Sequence, residues 1–173
     1  MAGLPRYASI MVHLDLGTGA DDRLALARDL AGRLGAHLIG AASAEPWMPA
    51  TGDPAMGMDA TMIETYRQMV EDDLGAVESA FRRIAGPDAE WRRGSLPPGR
   101  FLVDQARAAD LVVIGRDSAP ATRWHLAAAP GDVVLGLGRP LLVVPPGVRR
   151  LAADRIVGGG KNTAPSRRAN ADA

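Results

Sequence analysis

Few residues in this chain of 173 have types and spacing that could carry chemistry. The single lysine lies in Gly158-Gly-Gly-Lys161-Asn-Thr163. A phosphate-cradling P-loop needs Gly, four residues, Gly-Lys and then Ser or Thr. Here Arg155 takes the first position and Asn162 the last, so the motif fails twice. His13, His37 and His125 show no metal-ligand spacing. His13 and His37 fall in apolar runs and read as packing residues, whereas His125, beside Trp124 in a loop, is expected to be exposed. The absence of cysteine excludes disulfides, thiolate metal sites and a cysteine nucleophile. No Gly-x-Ser-x-Gly elbow supports a serine nucleophile. No catalytic residue and no metal ligand are therefore assigned.

The elements that would position a site alternate in period. Ser9-Ile-Met-Val-His-Leu14 is a short apolar run, read as a buried strand. Leu24, Ala27, Leu30, Ala31 and Leu34 then recur at helical spacing, and Gly35 suits the stop. His37-Leu-Ile-Gly-Ala-Ala-Ser43 is a second strand, and residues 44–58, rich in Pro, Gly and Met, read as a loop. Ile63, Tyr66, Val70, Leu74, Val77, Phe81 and Ile84 step by three or four along one long helix that ends at Gly86-Pro87. Glu90-Trp-Arg-Arg93 reads as an exposed third strand. Pro97-Pro-Gly99 opens a helix with Phe101, Leu102, Ala106 and Ala109 inward. Leu111-Val-Val-Ile-Gly115 is apolar without alternation, as a strand covered on both faces should be. A loop over 115–130 leads to a short helix near Asp132–Gly138, and Leu141-Leu-Val-Val144 is the fifth strand. Strand and helix alternating five times predict a doubly wound α/β fold, a parallel sheet with helices on both faces.

In such a sheet ligands gather beyond the carboxyl ends of the strands. Here those ends are Asp15, Ser43, Gly115 and Pro145, so a small-molecule site should draw on Asp15, Gly115 and the segment 115–132.

Composition narrows the class. The chain is 47% hydrophobic and 23% charged, enough for a core. Twenty basic residues balance twenty acidic ones, and only 4% of residues are aromatic, so neither a general polyanion binder nor a base-stacking platform is expected. No apolar run approaches membrane-helix length, and the opening Met1-Ala-Gly-Leu-Pro-Arg-Tyr7 lacks the pattern of a signal peptide. A cytoplasmic protein is expected, with neither membrane nor nucleic acid as partner. The charge is uneven: residues 146–173 hold six basic residues against two acidic ones, a net of +4, which leaves −4 over 1–145. Tyr7-Ala-Ser-Ile-Met-Val and Ala153-Asp-Arg-Ile-Val-Gly align loosely, as if a second copy began there. The expected organisation is a domain over 1–146, then 147–173 as a linker and partial second repeat, open to disorder.

Ile10-Met-Val-His-Leu-Asp15, Ala109-Asp-Leu-Val-Val-Ile-Gly-Arg116, Pro130-Gly-Asp-Val-Val-Leu135 and Gly138-Arg-Pro-Leu-Leu-Val-Val-Pro145 occur in that order. Together they resemble the universal stress protein family over residues 7–146, as the first domain of a tandem member with a truncated second. The resemblance implies a five-stranded parallel sheet in the order 3-2-1-4-5 and dimerisation through the fifth strand, Leu141, Leu142, Val143 and Val144. For members that bind ATP it implies the pattern Gly, two residues, Gly, nine residues, Gly, then Ser or Thr. Glycines there let backbone N–H groups approach phosphate. Gly115 matches the first glycine, and Arg116 follows it. Ser118 stands at the second glycine, Gly131 comes three positions later than the pattern sets the third, and Asp132 replaces Ser or Thr. Asp15 matches the acidic residue that contacts the adenosine part.

An acidic side chain facing a phosphate costs about 1 kcal/mol at about 4 Å in water and about 4 at an effective dielectric of about 20. In the bare residue reading, Asp132 is an acidic residue complementing a helix dipole. The resulting expectation is a non-catalytic stress-response protein acting by homodimerisation or association with another protein. Its nucleotide pocket is degenerate, with Asp15 and Asp132 on one rim, and no resident cofactor is expected. The alternative is an ATP- or AMP-binding sensor of the same family. A hydrolase on the related adenine nucleotide α-hydrolase-like fold ranks behind both, because fold alone does not imply chemistry.

Overall fold

The computed structural model describes residues 7–45, 60–116, 125–160 and 163. Strands and helices alternate along it: β1 (Ser9–His13), α1 (Ala20–Leu34), β2 (His37–Ser43), α2 (Ala60–Ala85), β3 (Glu90–Gly94), α3 (Pro98–Gln105), β4 (Leu111–Gly115), α4 (Pro130–Val134) and β5 (Leu141–Val144). All strand pairs are parallel, and the sheet order is β3-β2-β1-β4-β5. The doubly wound sheet and its 3-2-1-4-5 order are as expected.

The two faces follow from strand pleating, which sends alternate residues to opposite sides. Ile10, Val12 and Val113 join a core with the buried residues of α1 and α2. Met11, Val112 and Ile114 join a second core with Phe101 and Leu102 of α3 and Val133 of α4. Burying both faces is why Ile10, Met11 and Val12 of β1 and Leu111 to Ile114 of β4 are apolar without alternation.

Helix limits have local causes. Gly35 ends α1 in the left-handed conformation at φ +65°, where a side chain would be strained. The last short helix spans Pro130–Val134 rather than residues near 132–138, because Pro130 is pre-organised for a first turn and Gly138 leaves the helical region at φ +60°. Gly40 of β2 is required by packing: a Cβ there would lie 2.7 Å from the rings of Phe81 and Trp91, whose centroids are 5.2 Å apart.

Two histidines differ from expectation. His125 is buried, with Nε2 3.0 Å from Asp73 Oδ2. His37 is exposed and pairs with Glu90 at 2.7 Å on the surface of the sheet edge.

Beyond β5 the chain turns back. Gly147 N–H donates to Asp22 Oδ2 at 3.1 Å, and Arg33 Nη2 donates to the carbonyl of Leu151 at 3.1 Å. Val148 and Leu151 pack against the α1–α2 core. Residues 147–151 therefore form a strap along α1 from its first turn to its last.

Candidate functional site

The site is built where β1 ends. Asp15 follows the strand by two residues and is buried; its Oδ1 accepts the N–H of Gly17 at 2.9 Å and forms an ion pair with Arg23 Nη2 at 3.2 Å. Arg23, in the first turns of α1, is only 3% exposed, and its Nε donates to the carbonyl of His13 at 2.8 Å. The arginine thus ties the strand end to the helix that follows it. A buried charge of either sign would be costly alone, and each neutralises the other.

His13 precedes this pair on β1. Burial pushes its imidazole down to about 4, with the Arg23 charge adding to the effect and Asp15 and a hydrogen bond to the Leu126 backbone opposing it. Its Nε2 is buried with no hydrogen-bond partner among the described residues. The ring is therefore neutral near pH 7, a packing residue as expected.

Asp15, Arg23, Gly115, Arg116, Val144 and Pro146 surround a cavity of about 30 Å³, completed by the turn Gly17–Gly19. Asp15, Gly115 and Arg116 are thus brought together. A volume of that size holds water-sized groups and no nucleotide. A second cavity of about 280 Å³ touches Asp15 from the α2 side, against Leu14, Leu16, Leu24 and Val77.

Gly131 and Asp132 do not line either cavity. They stand in the first turn of α4, where Asp132 Cβ lies beside Gly99 of α3, on the sheet face opposite α1. Ser118 lies outside the described residues. The β5 residues occupy one edge of the sheet: Leu141 and Leu142 are half-buried, Val143 is 39% exposed and Val144 is buried.

Arg23 and Asp73 are the polar residues that sequence reasoning missed. Their signal was positional. Arg23 stands four residues before Ala27, on the buried stripe of α1, and Asp73 stands between Val70 and Val77, on the buried stripe of α2. A charged residue at such a position must find a partner inside. Ser43, at the end of β2, also closes locally: its hydroxyl donates to the carbonyl of Leu96 at 2.6 Å and accepts the Leu96 N–H at 3.1 Å.

No protein-family model matches the chain, and no curated protein matches it. Solved structures do. A universal stress protein solved in complex with cAMP is 19% identical, with a TM-score of 0.53, and the match covers 80% of this chain and 97% of that one. Universal stress protein UspA from Lactobacillus plantarum is 16% identical with a TM-score of 0.59, over 79% of this chain and 97% of that one. A universal stress protein family member from Burkholderia pseudomallei is 18% identical with a TM-score of 0.51, over 80% and 96%. At these identities the likeness is one of architecture: the chain is built on the universal stress protein fold.

Proposed function

We propose that the chain is a non-catalytic stress-response protein of the cytoplasm that acts by association, pairing with a second copy through β5, and that its Asp15 cavity is a degenerate nucleotide pocket. One observation carries the second part. The carboxylate of Asp15 is already neutralised by Arg23 and hydrogen-bonded by Gly17, around a space of about 30 Å³. A nucleotide entering there must displace an internal ion pair in a buried setting, which forfeits several kcal/mol, about 3 to 5. The same pairing leaves Asp15 poorly placed as a general base, and His13, held neutral in the core, lines neither cavity.

The edges of the sheet support pairing through β5. At β3, Glu90 is engaged by Arg92 and His37, so that edge is blunted by charge. At β5 the edge is apolar, and an exposed apolar strand seeks backbone partners. Gel filtration with light scattering is expected to give a dimer at micromolar concentration; a monomer throughout would overturn the association. Calorimetry with Mg-ATP is expected to show no micromolar binding, and micromolar binding would overturn the degenerate pocket.

A second reading, an adenine-nucleotide sensor, is favoured by the likeness in fold to a protein solved with cAMP and by the cavity of about 280 Å³ beside Asp15. Titration with cAMP and AMP separates the two. Saturable micromolar binding that Asp15→Ala abolishes, with folding intact, would establish the sensor.

A further inference from the structure

Away from the Asp15 rim, the far halves of α1 and α2 and the strap enclose an open groove of about 820 Å³. Its charge is one-sided. Arg28 and Arg33 enter from α1, Arg83 from α2 and Arg149 from the strap, against one carboxylate, Asp29. Asp29 is already engaged by Arg33 Nε at 2.9 Å and by Arg150 Nε at 3.9 Å. Arg149 reaches Asp22 only at 3.6 Å with 68% of its side chain exposed. Arg28 and Arg83 are exposed and make no hydrogen bond or ion pair with a described residue. At Gly32, which also lines the groove, an added Cβ would meet nothing within 4 Å.

Helix dipoles explain part of this charge. Arg33 lies in the last turn of α1 and Arg83 in the last turn of α2, where cations are favoured. Arg28 is in the middle of α1 and Arg149 is outside any helix, so the dipoles account for neither. Four guanidinium groups from three elements face one space with a local excess of three charges, in a chain whose formal charge is zero. Guanidinium forks match phosphate oxygens in pairs. An anion with one charge could satisfy one arginine. Cations arriving from separate elements require a ligand with several linked anionic groups, and the groove has the volume of a small-molecule site.

We propose that this groove binds a short oligophosphate, held by Arg28, Arg83 and Arg149 across α1, α2 and the strap. The site is separate from the Asp15 cavities and does not depend on how those are used. Titration of the full chain with inorganic tripolyphosphate in low salt tests it. The expected result is saturable one-to-one binding that weakens as salt rises from about 0.05 to about 0.2 M, since exposed charges are screened. Arg28→Ala with Arg83→Ala is expected to weaken it by roughly tenfold or more, because two exposed guanidinium contacts are lost together. Both side chains are exposed and unpaired, so the double variant keeps the fold, which circular dichroism verifies. Absence of binding in low salt, or binding unchanged in the double variant, would overturn the proposal.

Discussion

Arg23 Nη2 stands 3.2 Å from Asp15 Oδ1, and both side chains are more than nine-tenths buried. The pair joins the end of β1 to the start of α1. Asp15→Asn leaves Arg23 charged and buried without its counter-ion. The expected loss is about 3 to 5 kcal/mol of unfolding free energy, measured by urea denaturation. Replacing both residues, Asp15→Leu with Arg23→Met, is expected to cost less than Asp15→Asn alone, because no charge is left stranded.

His13 sets a pH dependence. Its folded value is about 4 and its unfolded value 6.5. Between them the unfolded chain binds more protons, so stability is complete above the unfolded value and falls as pH drops towards the folded one. The full loss is about 3 kcal/mol. Two carboxylates act lower down. Asp110 resists a desolvation penalty and is held below its ordinary value by hydrogen bonds from Ala8 and Ser9; Glu90 is held below its own by Arg92 and then His37. Their contributions are present above the ordinary carboxylate range and vanish beneath it. Between about pH 6.5 and about pH 5 His13 therefore contributes a loss of stability as pH falls, and urea midpoints across that window should fall less steeply in His13→Leu.

Asp132→Ser restores the residue type that the ATP pattern asks for. Because Asp132 lies beside Gly99 rather than on the Asp15 cavity, the substitution is expected to leave Mg-ATP affinity unchanged, read by calorimetry. A gain to micromolar affinity would show that the first turn of α4 reaches bound phosphate.

Val143→Lys places a charge on the apolar edge strand. Edge lysines discourage strand pairing, so the variant is expected to elute and scatter as a monomer at concentrations where the parent chain is dimeric. Compared at dilutions where both proteins are monomeric, its unfolding free energy should differ by less than about 0.5 kcal/mol, as is usual for a surface position.

The sheet was legible because the centres of β1 and β4 are apolar runs without alternation and the helices carry apolar stripes, Val70, Leu74, Val77 and Phe81 above all. The partners of buried polar residues were not. His125 and Asp73 meet across 52 positions of sequence, and nothing local in the Trp124-His125 dipeptide announces a carboxylate waiting on α2. The same limit applies to Asp15 and Asp132. Sequence order puts both near the carboxyl ends of the strands, but only tertiary packing decides that one faces α1 and the other α3.

The strap has a consequence for direction of exit. From Gly147 beside Asp22 to Leu151 beside Arg33 it spans the length of α1, so it carries the polypeptide from the pole where β1 ends to the opposite pole. At Leu151 the polypeptide thus stands beside the last turn of α1, remote from the crown around Asp15.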